Sequence, residues 1–94
     1  MSLMQQLKKG STPLLVLSVL QEEPMYGYQI MRDLEAESEG YFTMTASLLY
    51  PTLHKLEEEG LVTGTWVPQE SGRDRKYYTI TDAGRKVLVQ DTAE

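Results

Sequence analysis

Apolar positions along the chain change period twice, and those changes divide it into elements. Thr12-Pro13 reads as a helix start, with Thr as N-cap and Pro at the first helical position, where its missing N–H costs nothing. The apolar run Leu14-Leu15-Val16-Leu17-Ser18-Val19-Leu20 then predicts a core helix reaching about Glu22, with Pro24 as its stop. Ile30, Met31 and Leu34 share one helical face while Arg32, Asp33, Glu35 and Glu37 point outward, so a second helix begins near Tyr26-Gly27 and Gly40 closes it. Leu49, Leu53 and Leu56 keep helical spacing across Pro51. This predicts one third helix, bent or straight, starting near Thr45 and Ser47 and ending before Gly60.

Beyond Gly60 the signal becomes that of strands. Leu61-Val62-Thr63-Gly64-Thr65-Trp66-Val67 is β-branched and aromatic, with Gly64 as an expected bulge or weak point. The turn-rich stretch Pro68-Gln69-Glu70-Ser71-Gly72-Arg73-Asp74 links it to Lys76-Tyr77-Tyr78-Thr79-Ile80, predicting a hairpin. Tyr77 and Tyr78 take opposite faces, and Trp66 is expected across from them as a packed aromatic. Thr81 caps a last helix through Val87, Leu88 and Val89. The fold class is therefore mostly α with a small β-hairpin. Three helices, a two-stranded wing and a C-terminal helix form the order of a winged helix-turn-helix. A single domain over 1–94 divides into an N-terminal segment (1–11), a three-helix core (12–60), the wing (61–80) and a short last helix (81–94).

Composition narrows the function classes. Zero cysteines exclude disulfides, thiolate metal sites and thiol nucleophiles. His54 is the only histidine, so no His-based metal cluster is available and no cofactor is expected. With no Gly-rich phosphate loop and no carboxylate pair in a recognisable motif, an enzyme is rejected. Lys8-Lys9 before the apolar run faintly imitates a signal peptide. However, Gln21-Glu22-Glu23-Pro24 follows without a cleavage pattern, and the run is far short of the ~20 residues that span a bilayer. A cytoplasmic protein with no membrane contact is expected.

The net charge is −5, from 9 Lys and Arg against 14 Asp and Glu, but it is distributed unevenly. Six acids crowd residues 20–40, and Glu57, Glu58 and Glu59 form a second block. Between these blocks, residues 41–56 hold Lys55 and no acid. Arg73, Arg75 and Lys76 outnumber Glu70 and Asp74 at the hairpin tip. On the third helix, Thr45, Ser47, Tyr50, His54 and Lys55 lie away from the leucine face. That face either meets a ligand or is simply solvated, and the charged turn at the hairpin tip admits the same two readings. Lys8 and Lys9 are equally consistent with a backbone contact and with a plain basic terminus.

Three motifs then stand out in order. Pro24-Met25-Tyr26-Gly27-Tyr28-Gln29-Ile30 resembles the P-x-YGYEI opening of PadR-type transcriptional regulators. Ser47-Leu48-Leu49-Tyr50-Pro51-Thr52-Leu53-His54-Lys55-Leu56-Glu57-Glu58-Glu59-Gly60-Leu61-Val62 is similar to that family's GTLYPALHRLEEEGLI recognition-helix motif. Arg75-Lys76-Tyr77-Tyr78-Thr79-Ile80-Thr81-Asp82-Ala83-Gly84 resembles its RKYYxLTxxG strand and final-helix entry. The likeness spans roughly residues 9–88 and is to the short subfamily. Leu48 departs from the family's polar Thr, and Pro13 from a common acid.

The resemblance implies a dimeric winged-helix DNA binder, usually a repressor of a nearby gene and often released by a small molecule. On that reading Thr45, Ser47, Tyr50 and His54 face the major groove, and Tyr50 and Lys55 reach phosphates. Arg73, Arg75 and Lys76 deliver charge from the wing. Tyr26 or Tyr28 donates to a phosphate at the start of the second helix, with Lys8 and Lys9 on the backbone. Gly27 permits close helix packing. The expected partner is a pseudo-palindromic double-stranded operator, bound by a homodimer built from the first and last helices with help from the Leu3, Met4 and Leu7 stripe. The competing reading is a winged-helix module that contacts protein through its acidic surface.

Overall fold

The computed structural model describes residues 12–40 and 43–92. Within them the chain forms α1 (Thr12–Leu20), β1 (Met25–Tyr26), α2 (Gly27–Glu37), α3 (Ala46–Glu58), β2 (Val62–Pro68), β3 (Asp74–Ile80) and α4 (Asp82–Thr92). Lys8, Lys9 and the Leu3, Met4, Leu7 stripe lie outside the described residues. The core is one cluster. α1 buries Leu14, Leu15, Val16, Leu17, Val19 and Leu20, and α2 adds Ile30 and Leu34. α3 contributes Leu49, Leu53 and Leu56, while Val62, Tyr78, Ile80 and Leu88 close the other side. Because nearly every turn of α1 is covered, it is the central helix, packed by α2, α3, α4 and β3. It ends at Leu20, two residues early, in a turn in which Gln21 N–H donates to the Ser18 carbonyl at 3.3 Å.

α3 runs unbroken through Pro51. A proline inside a helix costs about 3 kcal/mol. Here Leu49, Leu53 and Leu56, on either side of it, are at most 2% exposed, and each buried leucine returns about 1.5–3 kcal/mol. Packing therefore outweighs the lost hydrogen bond, and the proline ring points outward. The helix closes with Gly60 at φ 75°: Leu61 N–H reaches the Leu56 carbonyl at 2.9 Å and Gly60 N–H the Glu57 carbonyl at 3.1 Å. α2 closes by the same pair of bonds one position earlier than its sequence implies, with Glu39 rather than Gly40 taking the first left-handed position, at φ 55°.

The sheet is antiparallel with order β1-β3-β2, so the two-stranded wing expected from sequence is part of a three-stranded sheet. Met25 pairs with Tyr78 and Tyr26 with Tyr77. Two residues are too few for a sequence pattern; pairing with β3, with the Met25 side chain buried against the core, holds them extended. β2 and β3 pair without interruption from Val62–Ile80 to Pro68–Asp74. Gly64 is thus not a bulge: it sits in register opposite Tyr78. Trp66 lies opposite Lys76, not the tyrosines, because the turn over 69–73 sets the register. Thr81 caps α4 as expected, its hydroxyl accepting Gly84 N–H at 3.1 Å and donating to the Gly60 carbonyl at 2.8 Å.

Candidate nucleic-acid interface

α3 presents its leucines inward, and helical spacing places Ser47, Pro51, His54 and Glu58 at the centre of the opposite face. Tyr50 and Glu57 lie on the flank toward the wing, and Leu48, Thr52 and Lys55 on the flank toward α1. Thr45 occupies the N-cap position and its carbonyl accepts Leu48 and Leu49 N–H. Its hydroxyl, however, is paired with that of Ser47 at 3.0 Å rather than capping the helix. Thr45, Ser47, Tyr50, His54 and Lys55 are all exposed. His54 is not free: its Nε2 lies 2.6 Å from Glu58 Oε1 one turn on, so the acidic block reaches back onto the recognition face. On the α1 flank, Leu48 is 43% exposed and lines, with Pro13, Pro51 and Leu56, a groove of about 520 Å³.

The opposite flank is where the predicted residues converge. A cleft of about 410 Å³ separates α3 from the wing, lined by Tyr26, Gly27, Tyr50, Trp66, Asp74, Arg75, Lys76 and Tyr78. Gly27 begins α2 directly beneath the Tyr50 ring. A Cβ at Gly27 would overlap the Tyr50 hydroxyl, which makes the close packing expected of Gly27 a contact between α2 and the recognition helix. Arg75 stacks on Tyr26 with 4.4 Å from guanidinium carbon to ring centroid, and Tyr26 meets Tyr77 edge-on at 5.5 Å. Tyr28 is 53% exposed and receives Arg32, which donates to its hydroxyl at 3.4 Å. The tyrosines and arginines around the start of α2 therefore form one aromatic–guanidinium surface.

Lys76 differs from the other wing cations. It crosses Gly64 to donate to Glu57 Oε1 at 3.0 Å, joining residues 19 positions apart, and both side chains are about two-thirds covered. The hydrogen bond to Glu57 raises the Lys76 pKa, and burial raises that of Tyr78. A Cβ on Gly64 would meet the Lys76 Cε, so the glycine opens the path for this side chain. Arg73 and Arg75 remain exposed at the tip. Sequence reasoning missed the Lys76–Glu57 pair and the exposure of Trp66. Strand parity pointed the other way for the second, since Trp66 shares a face with the buried Val62; its exposure arises because the core ends before it. Nothing local signalled the first.

Residues 16–90 match the sequence model of the transcriptional regulator PadR-like family. The chain belongs to this family. The negative transcriptional regulator PadR of Bacillus subtilis is 32% identical over 73 residues, 78% of this chain and 40% of that protein. A PadR family regulator from Eggerthella lenta is 37% identical with a TM-score of 0.79, covering 96% of this chain and 76% of that one. The structure of B. subtilis PadR in complex with operator DNA gives a TM-score of 0.80 at 28% identity, covering 87% of this chain and 46% of that one. The chain spans 38–40% of the length of the Escherichia coli regulator YqjI and the B. subtilis relative. The family is one of transcriptional regulators. Among the described residues no three His, Asp or Glu groups are placed to hold a metal, and no helix is long and apolar enough to cross a membrane.

Proposed function

We propose that the chain is a sequence-specific DNA-binding repressor that works as a two-fold dimer on a pseudo-palindromic operator. The observation that carries this reading is the cleft between Tyr50 and Arg75, which joins the acid-free part of α3, residues 46–56, to the cations of the wing. α3 enters the major groove with Ser47 and His54 toward base edges, flanked by Thr45 and Lys55. Tyr26, Tyr28, Tyr50, Arg73 and Arg75 serve the phosphates on the wing side, where α2 also directs its N-terminal N–H groups. Lys76 acts through the wing, because Glu57 already holds its ammonium. That B. subtilis PadR forms a complex with operator DNA supports operator binding, and the negative regulation named for that relative supports repression. Location in the cytoplasm, where the operator is, follows from the same reading. Release by a small-molecule effector belongs to it on the family resemblance alone.

Dimerisation is proposed through the last helix, α4, where Val89 is 63% exposed, together with the N-terminal segment; the first helix, expected to share the interface, is α1 and is spent on the subunit's own core. A single subunit offers few free cations, and two bring the contact number to the range of specific binders. The test is fluorescence anisotropy of labelled DNA from upstream of the protein's own gene against a scrambled duplex, over a range of salt. Preferential binding with a steep salt slope is expected. Equal, vanishing affinity for both would overturn the repressor reading in favour of a protein-interaction module. The acidic α2 surface and the pairing of His54 and Lys76 with glutamates are the observations that favour this alternative.

A further inference from the structure

We propose that Trp66 is a DNA-contacting residue of the wing, its indole face lying against the sugar–phosphate backbone beside the groove that α3 enters. The inference rests on the DNA-binding reading and extends it to a side chain outside the expected set. Trp66 is the chain's only tryptophan and is 63% exposed, although a hairpin of this kind buries its aromatics, as Tyr78 on the facing strand shows at 7%. One exposed aromatic alone would call for nothing, but Trp66 lines an open cleft with Tyr50, itself 47% exposed, and two aromatic side chains on one concave surface mark a place for a partner.

Three observations say which partner. First, strand parity places Trp66 on the same face of β2 as Val62 and Gly64. Val62 is in the core, and the Cβ direction of Gly64 points at Lys76 and Glu57. Trp66 thus looks along the inner side of the wing, toward α3, beyond the point where the core ends. Second, it shares the 410 Å³ cleft with Tyr50 and Arg75, so whatever lies between recognition helix and wing meets the indole. Third, its surroundings carry both signs: Arg75 and Asp74 line the same cleft, and the Lys76 charge is already matched by Glu57. Lys76, its cross-strand partner, holds Nζ 5.8 Å from the ring centroid while bonded to Glu57. The ion pair ties the wing to α3 and fixes the strand position from which Trp66 projects. An indole offers a flat apolar face and one N–H donor, which matches the C–H faces of deoxyribose and an adjacent phosphate oxygen. A base-reading role would instead need two hydrogen-bonding groups in one plane, which indole lacks.

The experiment exploits the single tryptophan. The full chain is titrated at low ionic strength with a fluorescein-labelled duplex of about 30 base pairs, three helical turns long. Duplex anisotropy and acrylamide quenching of the protein's tryptophan emission are followed together. The expected result is that emission shifts to shorter wavelength and quenching falls with the same midpoint as the anisotropy. Trp66→Ala should weaken binding about tenfold with an unchanged melting temperature, and Trp66→Phe should recover most of the loss. Binding by anisotropy with unchanged emission and quenching, and with Trp66→Ala as tight as wild type, overturns the contact and leaves the DNA-binding reading intact. A flat anisotropy trace for the wild-type chain overturns both.

Discussion

A methyl group on Gly27 would fall on the Tyr50 ring, and what yields decides the outcome. The atoms it meets are the far end of a side chain that is 47% exposed, so Tyr50 swings away and the backbones stay. Gly27→Ala should therefore leave the melting temperature within a few degrees, as surface changes of about ±0.5 kcal/mol do. DNA affinity should fall about 3- to 10-fold, the net value of one hydrogen bond. Thermal melts beside anisotropy titrations separate the two effects. Lys76 and Tyr78 make a second prediction at this scale. The bond to Glu57 lifts the Lys76 pKa and burial lifts that of Tyr78, so the folded state favours the protonated form of both. As pH rises, the unfolded chain loses these protons first. Their contribution is complete at neutral pH and is lost above about pH 10 as the folded-state values are passed. Glu57→Gln removes the main cause for Lys76, so urea unfolding should show a shallower alkaline decline than in the wild-type protein.

Among the elements, α4 depends most on one small residue. A Cβ on Gly84 would run into the Leu61 carbonyl and the Ile80 side chain. The carbonyl belongs to a turn fixed by Leu61 N–H on Leu56 and by Thr81 N–H on Leu61 itself, so it has nowhere to move. Alanine is worth about 1 kcal/mol more than glycine inside a helix, whereas overpacking costs about 1–3 kcal/mol. The clash with backbone should win. Gly84→Ala is expected to lose up to about 2 kcal/mol, lowering the melting temperature by about 4–8 °C for each kcal/mol in a chain of this size. Denaturant unfolding gives the value directly, and a gain in stability would show that α4 can slide on the turn. The contrast with Gly27 is physical: the same added methyl meets a movable ring in one case and a fixed carbonyl in the other.

At the scale of the whole molecule, net charge and DNA binding are in tension. The chain carries −5, and two of its candidate contacts, His54 and Lys76, are paired with glutamates. With about three to five phosphates engaged per subunit, a dimer reaches the 6–10 contacts at which affinity falls ~10³–10⁵-fold between about 50 and 200 mM salt. A monomer would show roughly half that slope on logarithmic axes. Sedimentation of the free protein together with the salt dependence of operator binding tests this. A monomeric mass at micromolar concentration with undiminished operator affinity would remove the dimer from the mechanism.

Much of this architecture was present in the order of residues. Apolar spacing through Leu49, Leu53 and Leu56 carried α3 across Pro51, the Thr81 cap marked α4, and the three motifs pointed to the family, because each depends on neighbours within a turn or two. Polar and cationic residues on α3 and at the wing tip were legible for the same reason. What tertiary structure alone decided involves residues far apart in the chain. The strand at Met25–Tyr26 exists only because β3 comes alongside it. The hairpin register, set by its turn, put Trp66 opposite Lys76. The closing of the wing onto α3 took Lys76 from the exposed set and gave it to Glu57. Local periodicity says which way a side chain points from its own element; only the packing of elements says what it meets there.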